Sequence, residues 1–272
     1  LSPNGRYFAG AGIYYVQPYW DTNPSFAVGS VASVSSRQFD WDVQIMPMVY
    51  GGYEGSNGFG WQARYVYLDE QQSDGLTVAP GQFASAAGMT VFANPGETIN
   101  ATHSLKFQFA DLEFSQSARA GIWGMKGTFG GRYLSIDQRY QARASNGLTS
   151  ITQHGFDGYG PTVSIDVSRY VGAWKLFGTM RQALLFGDRD SQVSSNGFLT
   201  TENNLAVVSM TELETGLRRD FMFNGYCPFA EAAVVGQYLT GVGNGGNNNQ
   251  FAPQRDQAMG YFGGRLTVGL NF

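Results

Sequence analysis

The chain is poor in the residues that do chemistry. It holds one cysteine, Cys227, and two histidines, His103 and His154, among 272 residues. A single cysteine excludes an intrachain disulfide and reads as a small buried or lipid-facing residue. Two histidines and one cysteine are too scattered for a zinc site. Charged residues make up only 14%, and no apolar run approaches the eighteen or so residues of a membrane helix, so a helical membrane protein is excluded. The net charge of −4 and a pI of about 5.2 argue against a nucleic-acid partner, which would need a basic patch. There is no signal peptide and no initiator Met. A chain opening at Leu1-Ser2-Pro3 therefore reads as processed or trimmed, which is compatible with export.

Glycine and aromatics are plentiful instead, at 37 Gly and 15% aromatic, with 43% hydrophobic overall. Mean hydropathy is nevertheless −0.22. This combination fits a β-barrel, whose polar lumen residues dilute the hydropathy signal. The last stretch shows the pattern most clearly. Phe262, Gly264, Leu266, Val268, Leu270 and Phe272 share one face at period two, while Tyr261, Gly263, Arg265, Thr267, Gly269 and Asn271 share the other. Such alternation suits a wall between lipid and water. A strand closing on Phe272 resembles the terminal signal that the assembly machinery of bacterial outer-membrane barrels reads.

Ten strands can be traced. Arg6 to Gln17 is the first, ended by Pro18. Asp40 to Tyr50 is the second, with Pro47 expected at a bulge. Phe59 to Leu68, Leu105 to Ser115 and Phe129 to Arg143 follow, and a shift in apolar phase suggests a bulge near Ala110. Tyr159 to Arg169, Trp174 to Phe186, Ala206 to Arg219, Phe229 to Leu239 and the C-terminal strand complete the set. Links alternate between long and short: Pro18–Phe39, Asp69–Ser104, Ala144–Gly158, Gly187–Leu205 and Thr240–Gln257 are long and polar. Long loops at one end and short turns at the other are the asymmetry of an outer-membrane barrel. Residues 69–103 are too long for an idle loop; Gln82 to Ala93 within them either plugs the mouth or forms an extra hairpin. Trp174 and Phe186 lie on one face, roughly 28 Å apart along the normal at about 3.3 Å per residue and a tilt near 45°, which fits an apolar band flanked by aromatic girdles. Gln182 is the blemish on that face.

The opposite faces would line a lumen. They carry Asp42, Gln44, Arg64, Glu113, Asp137, Arg139, Arg143, Asp166, Lys175, Arg181, Glu212, Glu214, Arg218, Glu231 and Arg265. So many charges must either pair across a filled interior or line water. Ten strands fall between filled barrels of about eight strands and open channels of sixteen or more, so a narrow or partly plugged pore of mixed charge is expected. Catalysis has little support: His154-Gly155-Phe156-Asp157 offers a base and an orienter at a loop rim, without a nucleophile or paired acids. The loop Gly241–Gln250 has carbonyls and amides but no carboxylate, so it reads as a flexible surface loop and not a calcium site.

Asp111-Leu112-Glu113-Phe114, Gly130-Gly131-Arg132-Tyr133, Gly155-Phe156-Asp157-Gly158-Tyr159-Gly160-Pro161 and Gly263-Gly264-Arg265-Leu266-Thr267-Val268-Gly269-Leu270 with Phe272 resemble the Legionella-type pore-forming outer-membrane protein family. The resemblance covers about Leu105 to Phe272; earlier residues match in style only. It implies an outer-membrane barrel with pore activity and supplies no catalytic residues.

The expectation is thus all-β: one transmembrane antiparallel up-and-down β-barrel over residues 1–272, with about ten strands (eight to twelve), long extracellular loops and short periplasmic turns. It would sit in the bacterial outer membrane as a porin passing small hydrophilic solutes, without cofactor, metal or catalysis. The rival is a structural or adhesive barrel with a closed lumen and working surface loops. Its partners would be the outer-membrane lipid bilayer, the assembly machinery through the C-terminal strand, and further copies in a homo-oligomer, with no nucleic acid.

Overall fold

The computed structural model describes residues 5–30, 32–86, 90–223, 226–243, 248–249, 252–253 and 257–272. No helix occurs among them. The chain begins with β1 (Arg6–Trp20), β2 (Pro24–Ser30), β3 (Val34–Gln38), β4 (Gln44–Glu54), β5 (Phe59–Thr77), β6 (Gln82–Ala86) and β7 (Val91–Ala93). Five long strands follow: β8 (Thr98–Ala120), β9 (Trp123–Ala144), β10 (Thr149–Val171), β11 (Trp174–Ser195) and β12 (Phe198–Asp220). The last are β13 (Cys227–Thr240), the short β14 (Asn248–Asn249) and β15 (Ala252–Pro253), and β16 (Met259–Asn271). Ten of them close a barrel in the order β1-β16-β13-β12-β11-β10-β9-β8-β5-β4, with β4 returning to β1. Every barrel pair is antiparallel. These are the ten strands expected, eight of them longer.

The length correction has a physical cause. Two of the five expected long links do not exist as loops. Residues 187–195 and 198–205 belong to β11 and β12, which meet at the two-residue turn Asn196-Gly197. Both turn residues have positive φ, 47° and 90°, the geometry that makes Asn-Gly a strong hairpin signal. Likewise, most of 144–158 is the start of β10 after a short turn containing Gly147. The polar composition of these segments marks exposure to water, and strands can be wet on their outer face.

Neither expected bulge is present. β8 keeps one register with β5 and with β9 through Ala110. Pro47 pairs in register opposite Ile13 on β1 and lies just beyond the start of the β4–β5 ladder at Met48. Pro18 does not end β1; it pairs with Tyr261 and lies beyond the β1–β4 ladder. Each proline therefore has a neighbouring strand on one side only, which is where a missing N–H is tolerated.

What changes near Ala110 is polarity, not phase. Along β8 the inward residues run Ile99, His103, Leu105, Phe107 and Phe109, then Asp111, Glu113 and Ser115. The outward residues run Lys106 and Gln108, then Leu112 and Phe114. β9 does the same: Met125, Phe129 and Tyr133 point outward near the short-turn end, followed by Ser135, Asp137, Arg139, Gln141 and Arg143. Inward on β9 lie Lys126, Thr128 and Arg132, then Leu134, Ile136, Tyr140 and Ala142. A strand of 23 residues at about 3.3 Å per residue and a tilt near 45° rises roughly 50 Å, twice the apolar band of about 25 Å. The lower half thus crosses lipid around a polar interior, and the upper half stands in water around an apolar one.

Trp174 and Phe186 both point outward, as expected. Between them the Gln182 amide is satisfied by its neighbours on β12, accepting from Thr211 Oγ1 at 2.6 Å and donating to Ser209 Oγ at 2.8 Å. The facing of the C-terminal strand also holds, with Leu266 59% exposed and Arg265 9%.

Above the membrane the wall is incomplete among the described residues. β13 joins β12 only from Ser209 downward, and β4 joins β5 only from Val66 downward. A separate sheet, β3-β2-β6-β7, covers the mouth. Within Gln82–Ala93, β6 and β7 therefore pair antiparallel in this lid, outside the lumen's membrane section. The Tyr140 hydroxyl donates to the Ser25 carbonyl at 2.6 Å, and His103 Nδ1 lies 3.1 Å from Asn23 Oδ1. Asn146 and Asn196, at two hairpin tips, donate to the carbonyls of Phe92 and Thr90. Beneath the lid, Trp20, Phe39, Trp41, His103 and Tyr140 pack ring to ring. Half of the expected flexible loop at Gly241–Gln250 lies outside the described residues.

Candidate functional site: the charged layer across the lumen

At the level where the interior changes from apolar to polar, side chains reach across the whole barrel. Arg64 on β5 places Nη2 2.8 Å from Asp111 Oδ2 on β8 and 2.9 Å from Glu212 Oε1 on β12. In the closed ring β5 and β12 are five strands apart, diametrically opposite. Arg132 on β9 binds both carboxylates too, with Nε 2.6 Å from Asp111 Oδ1 and Nη2 2.5 Å from Glu212 Oε1. Its fork meets Asp111 through two nitrogens, the bidentate geometry in which Arg is strongest. The Arg132 side chain is 0% exposed. The Phe109 ring, one step above, lies against both guanidinium groups at 4.8 and 4.4 Å. Such contacts contribute more where water is excluded.

The network continues sideways and down. Arg64 Nη1 donates to the Tyr14 hydroxyl at 3.1 Å, which donates to Glu214 Oε1 at 3.1 Å. Arg181 Nε binds Glu113 Oε1 at 2.9 Å; Gln62 donates to the other Glu113 oxygen at 2.6 Å and accepts from Lys126 at 2.5 Å. Arg265 bridges Glu214 at 3.1 Å and Glu231 at 3.2 Å, and Arg218 binds Glu231 at 3.2 Å. Asp166 accepts from Thr179. Buried ions cost several kcal/mol each unless paired and hydrogen-bonded, and this pattern of pairing meets that requirement.

Of the charged residues expected to line the lumen, Arg64, Glu113, Asp166, Lys175, Arg181, Glu212, Glu214, Arg218, Glu231 and Arg265 do face inward. Four do not. Asp42 precedes β4 and is exposed. Asp137, Arg139 and Arg143 are on the outer face of β9, exposed above the membrane. For the three on β9 the reason is that Leu134 and Ile136, the apolar face of that strand, fill the upper core instead of meeting lipid and send their neighbours outward. The same reading hid Arg132, which shares their phase. Its signal was its place two residues from an apolar core position on a strand crossing the membrane. Asp111, Lys126 and Tyr14 were also missed.

His154 and Asp157 are not assembled into a site. An odd spacing on a strand sends them to opposite faces, His154 inward and buried, Asp157 outward where the Tyr133 hydroxyl donates to it at 2.8 Å. Among the described residues no group of three His, Cys, Asp or Glu side chains is placed to hold a metal ion.

A family model described as the Legionella pneumophila major outer membrane protein precursor matches residues 4–227. This chain belongs to that family. The match takes in the first hundred residues, where the likeness in sequence was only one of style, and accords with an outer-membrane barrel. No curated protein matches the chain in sequence. Among solved structures, the outer membrane protease OmpT of Escherichia coli is similar at a TM-score of 0.53 and 9% identity, covering 100% of this chain and 97% of that one. That likeness shows the fold alone. Ail, the attachment invasion locus protein of Yersinia pestis, is similar at 11% identity and a TM-score of 0.27, with 99% of each chain covered. The toluene transporter TodX of P. putida is similar at 5% identity and a TM-score of 0.28, covering 100% of this chain and 90% of that one.

Proposed function

We propose that this outer-membrane protein works as a closed barrel, anchored by its lower half and presenting its extracellular wall and lid as the working surface. The observation that carries this reading is the Arg64–Glu212 contact between opposite strands, locked by Arg132 and Asp111. An aqueous path through the lumen would have to pass this layer and then the packed rings of Phe107, Phe109 and Tyr261 above it. In this reading the chain is not an enzyme, and its buried charges hold the two halves of the barrel in register.

Passive diffusion of small hydrophilic solutes is the second reading. It has in its favour the half-buried charges below the layer, Asp166, Lys175, Arg218 and Glu231, which form a polar vestibule open toward the short turns. It requires the layer to part. Docking of β16 onto the assembly machinery and side-by-side association of copies are compatible with either.

Single-channel recording of the purified, folded protein in a planar bilayer separates the two. The closed reading expects no steady conductance from the wild type, nor from a variant lacking residues 82–93, because the block lies below the lid. Steady conductance of the wild type would overturn it. Conductance in the deletion variant alone would move the constriction from the charged layer to the lid.

A further inference from the structure

Above the membrane the six-stranded wall β5-β8-β9-β10-β11-β12 has two edges that no barrel strand extends among the described residues, and they are built differently. On β5 the stretch Tyr67–Thr77 pairs with β8 but not with β4. It carries Asp69, Glu70 and Asp74, charges that blunt an edge. It is also fastened to the lid connection, through Arg37 to Asp74 at 3.2 Å, Ser25 to Asp74 at 2.7 Å and Gln72 to the Asp40 carbonyl at 2.8 Å. On β12 the stretch Phe198–Val208 pairs with β11 throughout and with no other strand among the described residues. Its sequence, FLTTENNLAVV, holds no Pro, Gly, Lys or Arg and a single acid. Leu199 and Leu205 are exposed, the latter at 86%. Natural edges of this length are normally protected, so one that no strand covers among the described residues marks a place where another strand adds.

The outer face beside that edge has one sign of charge. Asp157 on β10 sits directly opposite Asp188 on β11, and Asp188 and Asp190 sit opposite Leu205 and Asn203 on β12. On β10, β11 and β12 above the membrane the outward charged residues are these three aspartates. A strand added beside β12 would point alternate side chains outward, next to Leu199, Thr201, Asn203 and Leu205. The aspartates on β11 lie two strands away from it, about 9–10 Å, within reach of a Lys or Arg.

We propose that the Phe198–Val208 edge of β12 is a docking site for an extended peptide strand of a partner protein, with basic residues at alternate, outward positions. This rests on the reading that the extracellular wall is the working surface. Backbone pairing would supply the attachment, and the aspartates the selection of charge.

The test uses the full chain in detergent micelles and four labelled ten-residue peptides, measured by fluorescence anisotropy. One alternates Lys with Val; one replaces every Lys by Glu; two are Lys–Val peptides N-methylated on alternate residues, one in each phase, to remove the pairing N–H groups. The Lys–Val peptide is expected to bind, with the Glu peptide and at least one methylated peptide at least tenfold weaker. The D188N/D190N variant should lose about tenfold for the Lys–Val peptide, and Thr201→Lys should lose at least as much while folding normally. Equal binding of all three Lys–Val peptides would reduce the site to charge attraction and overturn the edge. Equal binding of the Glu peptide would overturn the partner's chemistry. No binding by any peptide, or concentration-dependent dimers of the wild type abolished by Thr201→Lys, would overturn the proposal, the latter by assigning the edge to a second copy. Bilayer recordings on the same preparation report separately on the closed lumen, so failure of one leaves the other standing.

Discussion

The lower and upper halves of this barrel are made by the same strands in the same phase, yet their chemistry is exchanged. Below, β9 shows Met125, Phe129 and Tyr133 to lipid and Lys126, Thr128 and Arg132 to the interior; above, it shows Asp137, Arg139 and Arg143 to water and packs Leu134, Ile136 and Tyr140 inside. Alternation says only that two faces differ. Which face is apolar depends on what lies outside, and that changes from hydrocarbon to water halfway up. The change occurs within two residues, between Arg132 and Leu134, and the charged layer sits at that junction.

The largest expected effect comes from treating the upper interior as though it were the lower one. Ile136→Asp puts an unpaired carboxylate into the closed upper core and should cost on the order of 4 kcal/mol or more, read from urea unfolding in micelles. A loss below about 1 kcal/mol would mean that the upper interior is wet. Arg132→Leu, at the junction, leaves Asp111 and Glu212 sharing Arg64 and should cost about 3–5 kcal/mol. If Arg132→Leu instead matches the wild type, the layer contributes nothing to holding the halves together. Leu266→Arg, on the lipid face of the lower half, should cost about 2–4 kcal/mol. Arg139→Leu, on the outer face of the upper half, should fall within about 0.5 kcal/mol of the wild type. Equal costs for these last two outward positions would remove the distinction between a lipid face and a wet one.

Much of this was legible in the sequence. All ten barrel strands, the facing of Arg265 and Leu266, the Trp174–Phe186 band and most of the inward charges follow from period-two alternation. Three things did not, for related reasons. The upper halves of β10, β11 and β12 are polar outside and read as loops, although Asn196-Gly197 marks a hairpin tip. The apolar residues of β8 and β9 change faces relative to the membrane without any bulge, so alternation alone puts Asp137, Arg139 and Arg143 inside and does not single out Arg132. The lid pairs β2 with β6 across more than fifty residues, a contact that no local pattern encodes.

The most direct test is a cysteine scan of β9 from Phe129 to Arg143 in a Cys227→Ser background, with a fluorophore at each position and quenchers confined to lipid or to water. One continuous phase predicts that positions 129, 131 and 133 respond to the lipid quencher. Positions 135, 137, 139, 141 and 143 should respond to the aqueous one, and 134 and 136 to neither. Lipid quenching at 134 and 136 would contradict this account, because it would mean that the strand turns over at a bulge and that the apolar residues above Arg132 face the membrane.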